Sequence, residues 1–139
     1  GWKDEVQAMR EPLTGLPEDS AERKTYPMCR GLLDYFPDAL ALVAHASWLG
    51  NQKHNPGEEM HHARGKSMDH ADCIVRHLSQ RGTMDVIEWF DEQTGEKFTH
   101  EIPHSAWLAW RALALLQQEC EDRGAPLARA ARFPVTSGT

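Results

Sequence analysis

Two pairs of polar residues at helical spacing are the first candidates for chemistry in this sequence. Asp69 and Asp72 stand three residues apart in a segment predicted to be helical, so their carboxylates project from adjacent turns on one side. Glu101 and His104 repeat that spacing just ahead of another predicted helix. Helical bundles build metal sites from two such pairs, and hard divalent ions such as Mg²⁺ favour oxygen ligands. The pattern therefore predicts a divalent metal site at these four residues, with solvated surface acids as the alternative.

Basic side chains cluster near the first pair. Lys53, Arg64, Lys66 and Arg76 lie in one short region with most of the eight histidines, in a chain whose formal net charge is −6. This clustering indicates a local anion site, and it favours binding of phosphate oxygens by these cations. The alternatives are cations that are merely solvated, and an ion pair between Arg76 and Asp72 within the helix. The negative net charge argues against a general nucleic-acid-binding protein.

A zinc site is the rival interpretation of the same region. His70, Cys73 and His77 fall at positions i, i+3 and i+7 and share one helix face, and His61 and His62 could add a fourth ligand. Three ligands along one straight helix are awkward for a tetrahedral ion. A non-catalytic zinc- or nucleotide-binding regulatory module is therefore the second hypothesis, and a helical interaction protein without a site is the third.

The first predicted helix precedes this region. It begins at Pro37, whose fixed φ suits the first helical position, and it is apolar on nearly every face. Gly50 and Asn51 are a credible C-cap for it. A polar loop over 52–66 follows, with a strong turn signal at 55–57.

The remaining elements position the two polar pairs. A second helix is predicted over 68–81, with Ser67 as N-cap and an apolar stripe of Met68, Ala71, Val75 and Leu78. A β-hairpin is predicted over 85–100, and a third helix from 103 to about 122. Three helices are few for a closed bundle. We therefore expect an all-α helical bundle, completed by oligomerisation, with the hairpin as a small insertion near 85–100.

Length and composition limit the remaining possibilities. A chain of 139 residues with 40 % apolar content is the size of one domain. We expect this domain to cover 26–123, between an arm over 1–25 and a loosely held tail over 124–139. The longest apolar run, around 39–44, is too short to cross a bilayer. Three unpaired cysteines and the lack of a leader-like opening favour the cytoplasm.

Several motifs, taken in order, resemble one family. They are YFPDAL at 35–40, GNQKHNPG at 50–57, RGKSMDHAD at 64–72, RHL at 76–78, Pro103 with His104, and AWRALALL at 109–116. Together they are similar to the phage and bacterial dATP/dGTP diphosphohydrolases, relatives of the MazG-like all-α nucleotide pyrophosphohydrolases. The likeness spans roughly 26–118. Phage members called MazZ help to make the 2-aminoadenine nucleotide that replaces adenine in some phage DNA.

The resemblance implies a reaction and a site. It implies cleavage of dGTP or dATP between the α- and β-phosphates with Mg²⁺ or Mn²⁺, by a homodimer or homotetramer in the cytoplasm (the host's, for a phage protein). Asp69 and Asp72 would stand for the first acidic pair of the MazG-like pattern, and Glu101 and His104 for the second. His77 would join the two aspartates in catalysis. The substrate-binding residues would be Asn51, Lys53, His54, Arg64, Lys66, Arg76 and Arg111.

Overall fold

The computed structural model describes residues 15–62 and 69–132. Along the described residues, three α-helices precede a β-hairpin and two follow it. Within the described residues no helix is both long enough and apolar enough to cross a membrane. The elements are α1 (Ser20–Arg23), a π-helical turn (Cys29–Leu33), α2 (Pro37–His54), α3 (His70–Ser79), β1 (Met84–Phe90), β2 (Lys97–Pro103), α4 (His104–Asp122) and α5 (Arg129–Arg132).

Helix α2 is longer than the sequence predicts. It begins at Pro37 as expected, but the predicted C-cap at Gly50 and Asn51 is wrong, because the helix continues through both residues to His54. The left-handed backbone that usually ends a helix occurs later, at Gly57, whose φ is +78°. Three of the predicted substrate-binding residues, Asn51, Lys53 and His54, consequently lie on the helix itself.

Helix α3 buries a different face from the one its apolar residues suggest. It runs from His70 to Ser79, and the predicted N-cap Ser67 lies outside the described residues. Ala71, Val75 and Leu78 share one edge, as their spacing predicts, but that edge is exposed. The buried residues of α3 are His70, Cys73 and His77, so the helix is held by a largely polar interface.

The hairpin makes the all-α prediction wrong. The structure is about 53 % helical and contains a two-stranded antiparallel sheet, so its class is mixed α and β. The strands lie close to the predicted positions, with Trp89 opposite Phe98 and Asp85 opposite Ile102. The hairpin is also more than an insertion, because its inner face supplies Ile87 and Ile102 to the hydrophobic core.

The core forms where the hairpin meets two helices. Ala46 and Leu49 from α2, Ile87 and Ile102 from the hairpin, and Ala106 from α4 are buried together. Helix α3 packs on α4 and contributes no aliphatic side chain to this core. Of the predicted arm over 1–25, only 15–25 are described, and the four residues of α1 include no buried side chain. In the predicted tail, the Ala128 N–H donates to a Glu121 carboxylate oxygen at 3.3 Å.

Replacing Ile102 tests whether the hairpin is part of the core. Ile102 is 0 % exposed, whereas Val86 on the opposite face of the same hairpin is 52 % exposed. We expect Ile102→Ala to lower the free energy of unfolding by about 2–5 kcal/mol because it leaves a cavity. The matched control Val86→Ala should cost less than about 1 kcal/mol. Urea denaturation measures both, and equal small losses would contradict this description of the core.

Candidate functional site

The facing sides of α3 and α4 bring together residues that are distant in sequence. The Nδ1 atoms of His77 and His104 lie 3.0 Å apart, and Arg111 Nη1 donates to His70 Nδ1 at 3.2 Å. The later residue of α3, His77, meets the first residue of α4, whereas the earlier residue, His70, meets Arg111 further along α4, so the two helices run antiparallel. We call the residues of this interface the imidazole seam: His70, Cys73, His77, His104, Trp107 and Arg111.

The contact between His77 and His104 restricts their protonation. Two ring nitrogens 3.0 Å apart must share one hydrogen, so at most one of the two rings can be imidazolium while this contact exists. The guanidinium of Arg76 lies 3.5 Å from His77 Nε2 and can only donate. His77 Nε2 is then an acceptor, and we assign the shared hydrogen to His77 Nδ1.

The surroundings of His77 also favour its neutral form. Burial lowers the pKa of His77, and the positive charge of Arg76 lowers it further, as do His104 and Arg111. Asp85 acts in the opposite direction and raises that pKa. The neutral imidazole is the form that can accept a proton, so these shifts preserve a base at neutral pH.

His70 closes the other end of the seam. Burial lowers the pKa of His70, Arg111 lowers it further, and Asp69 opposes both. The thiol of Cys73 donates to a carboxylate oxygen of Asp69 at 3.6 Å. The three ligands of the zinc interpretation are therefore all buried here, but each has a polar partner within the protein. Across the described residues, no three His, Cys, Asp or Glu side chains are placed to hold a metal ion.

The two edges of α3 differ in character. Successive residues of an α-helix are rotated by about 100° around its axis. This rotation places Asp69, Asp72 and Arg76 along one edge of α3, and the exposed Ala71, Val75 and Leu78 along the other. Because α4 runs antiparallel to α3, this charged edge lies on the same side of the seam as Trp107 and Trp110. The two predicted catalytic carboxylates therefore border the side of the seam where α2 lies.

Helix α2 and the loop after it cover that side of the seam. A methyl group added at Gly50 would lie 3.8 Å from the rings of both His62 and Trp107. His62 Nε2 lies 2.9 Å from Ser47 Oγ, and its ring packs on Trp110 with centroids 5.0 Å apart. Burial lowers the pKa of His62, with smaller contributions from His61 and His54.

Asn51 holds this loop in place. Its side-chain Nδ2 donates to the Glu58 carbonyl at 3.1 Å, and its Oδ1 accepts from the His61 N–H at 3.1 Å and from Asn55 Nδ2 at 3.2 Å. Asn51 is 2 % exposed, so these bonds replace water. These three hydrogen bonds leave only one side-chain N–H of Asn51 available to contact the purine base of a nucleotide.

The structure unites some predicted site residues and separates others. Arg76, His77, His104 and Arg111 converge on the seam, with Asp69 and Asp72 on its border. Glu101 does not share a helical face with His104, because it lies in β2 opposite Val86 and is exposed. Lys53 and His54 are exposed near the end of α2, and Arg64 and Lys66 lie outside the described residues.

Sequence reasoning missed Asp85. It lies on the inner face of the hairpin with Ile87 and Ile102, close enough for its charge to act on His77. The alternation of Asp85, Ile87 and Trp89 carried the signal, since an acid at an inward position of a strand needs a specific partner.

Comparison with known proteins gives no match: no family model, curated protein or solved structure is similar enough to report.

The effect of Arg76 on His77 can be measured directly. We expect Arg76→Gln to raise the pKa of His77 toward its ordinary value, because a positive charge beside the ring is removed. Imidazole resonances followed by NMR across a pH series report this pKa. Arg81→Gln is the matched control, because the Arg81 side chain donates to the Leu78 carbonyl and is not among the charges acting on His77. An unchanged or lowered His77 pKa in Arg76→Gln would contradict the described geometry.

Proposed function

We propose that the imidazole seam and the charged edge of α3 form the active site of a purine deoxynucleoside triphosphate pyrophosphohydrolase. It would convert dGTP or dATP to the monophosphate and pyrophosphate. The observation that carries this proposal is the 3.0 Å contact between His77 and His104, with Arg76 beside it. These residues belong to the short motifs that resemble the dATP/dGTP diphosphohydrolase family, and they are brought together although they lie 27 residues apart.

The composition of the seam supports a functional role over a structural one. Polar groups buried between two helices contribute less to stability than well-packed aliphatic side chains of similar volume. The seam nonetheless holds three imidazoles, two of them with lowered pKa, and one arginine. Perturbed titratable groups that cluster in this way are typical of catalytic sites.

The chemistry follows from the same contacts. Arg76 and Arg111 would neutralise charge on the triphosphate and on the pyrophosphate leaving group. A phosphate that attracts Arg76 would release His77 Nε2, the nitrogen that Arg76 otherwise occupies. The same negative charge would offset the field that lowers the His77 pKa. His77 would thus become a better base when substrate arrives, and it could take a proton from the attacking water.

We propose Mg²⁺ or Mn²⁺ as the cofactor, held by Asp69 and Asp72 together with substrate phosphate oxygens. Magnesium is commonly bound by one or two carboxylates plus substrate phosphates, so these two side chains are a sufficient protein contribution. When bound, the ion would polarise a phosphoryl oxygen. Both aspartates are exposed at the start of α3, next to the seam.

We also propose that the enzyme acts in the cytoplasm as a homodimer or homotetramer. The unpaired cysteines Cys29, Cys73 and Cys120 support a reducing compartment. The many exposed large apolar side chains among the described residues support association between copies.

Pyrophosphate release is the direct test of this function. With Mg²⁺ or Mn²⁺, we expect turnover of dGTP or dATP above that of dCTP, dTTP and ribonucleotides. Asp72→Asn should lower it at least about 100-fold, because one of the two carboxylates proposed to hold the metal ion is lost. Asp122→Asn, at the far end of α4, is the matched control and should retain activity. Folded protein that releases no pyrophosphate from any of these nucleotides would contradict the enzyme proposal. Zinc bound to that protein in stoichiometric amount would then favour the non-catalytic regulatory module.

A further inference from the structure

Two buried indole groups have no hydrogen-bond partner within the described residues. They are the N–H groups of Trp89, in the hairpin, and of Trp107, in the imidazole seam. An indole nitrogen can only donate, and a buried donor without an acceptor costs free energy because it has given up its hydrogen bond to water. Such groups are rare in folded proteins, so each of the two requires a specific explanation.

Trp89 lies in an aromatic cluster that offers its N–H weak acceptors. Its ring stacks on Phe98 with the ring centroids 4.4 Å apart and meets Trp48 edge to face at 6.1 Å. It also lies parallel to His100 at 6.2 Å. The faces of aromatic rings carry partial negative charge and accept N–H groups weakly. None of these rings belongs to the imidazole seam, so Trp89 is a structural part of the contact between α2 and the hairpin.

Trp107 differs because its neighbours in the seam are mostly donors. The centroid of its ring lies 6.4 Å from that of His77. The guanidinium groups of Arg76 and Arg111 can only donate, and each already contacts an imidazole nitrogen. With the shared hydrogen on His77 Nδ1, a neutral His104 carries its own hydrogen on Nε2 and is a donor there. The seam therefore has more donors than acceptors.

This surplus of donors indicates the class of ligand that would satisfy them. The seam presents two guanidinium groups, a histidine N–H and the Trp107 N–H, whereas its imidazole acceptors already contact one another or an arginine. An anion with several oxygen acceptors fits such a set of donors. A purine base fits it less well, because its edges present donors as well as acceptors.

We propose that the indole N–H of Trp107 donates to a phosphoryl oxygen of the nucleotide bound at the imidazole seam. This inference rests on the proposed function and adds a substrate-binding residue to it. A donor beside His77 would hold the phosphoryl group close to the base that takes a proton from the attacking water. It would also stabilise the negative charge on the phosphoryl oxygens in the transition state.

A phosphate reaches this N–H only after a side chain moves, because Trp107 Nε1 is shielded from water. The Cζ3 atom of Trp107 lies 3.8 Å from a methyl group built at Gly50, so the tip of the six-membered ring packs on α2. The N–H is on the five-membered ring, nearer to α4. A phosphate that draws Arg76 away from His77 would leave the His77 ring, a neighbour of Trp107, free to shift.

The indole N–H resonances test the proposal directly. The chain has five tryptophans, so the NMR spectrum of full-length ¹⁵N-labelled protein contains five indole cross-peaks. We expect inorganic pyrophosphate with Mg²⁺ to move the Trp107 cross-peak downfield in the proton dimension, because a new hydrogen bond deshields that proton. The Trp89 cross-peak should stay in place.

Replacing each indole by a ring without an N–H measures what the donor contributes to binding. We expect Trp107→Phe to weaken pyrophosphate binding about 10- to 100-fold in calorimetry, because a hydrogen bond to a charged group is lost. Trp89→Phe is the matched control, because it removes the other unpartnered N–H, which lies outside the seam. It should leave the dissociation constant unchanged.

Several results would overturn the proposal. Pyrophosphate that binds without moving the Trp107 cross-peak, or that binds folded Trp107→Phe as tightly as wild type, would overturn it and leave the proposed function standing. A cross-peak that responds to deoxyguanosine but not to pyrophosphate would assign the donor to the base instead. Folded wild-type protein that binds neither pyrophosphate nor dGTP would contradict both proposals. If Trp107→Phe does not fold, the wild-type cross-peaks, assigned from their side-chain connectivities, still decide.

Discussion

The contact between the imidazoles of His77 and His104 is the constraint on which the site depends. At 3.0 Å the two Nδ1 atoms must share a hydrogen, which keeps at least one ring neutral and fixes how each ring is oriented. The same register of α3 against α4 brings His70 and Arg111 together about two helical turns away. The hairpin ends at this point, where the His104 N–H donates to the Thr83 carbonyl at 3.1 Å. Helix α3, helix α4, the end of the hairpin and the guanidinium of Arg76 thus all meet at His77 and His104.

The α3–α4 pair has two edges, one on each side of the imidazole seam, and they differ in charge and polarity. The charged edge, with Asp69, Asp72 and Arg76, lies on the side of α2 and its loop, which Asn51 holds by three hydrogen bonds. The opposite edge of α3 carries Val75 and Leu78, which are 64 % and 45 % exposed. The two edges of the helix therefore differ in charge and in polarity.

The positions of the helices and strands were predicted better than the faces that they bury. Pro37, the hairpin and the end of the last long helix lie where local signals place them, because proline geometry, strand alternation and turn residues act over a few positions. The inward face of α3 could not be predicted, since hydrophobic periodicity selects Val75 and Leu78, and only tertiary contact with α4 reveals that the histidines are buried. The pairing of Glu101 with His104 assumed helical spacing across residues that form a strand. Asp85 was missed because its approach to His77 depends on tertiary packing, which local sequence signals do not report.

The most direct test of the proposed site is the response of His77 to a substrate analogue that cannot be cleaved. Full-length protein would be titrated with dGTP carrying a methylene group between the α- and β-phosphates, while imidazole resonances are followed by NMR. We predict that binding raises the pKa of His77, because the negative charge of the phosphates offsets that of Arg76 and draws its guanidinium away from His77 Nε2. His45, which stacks on Trp48 and is not a seam residue, is the internal control. Binding that leaves the His77 pKa unchanged would contradict the account.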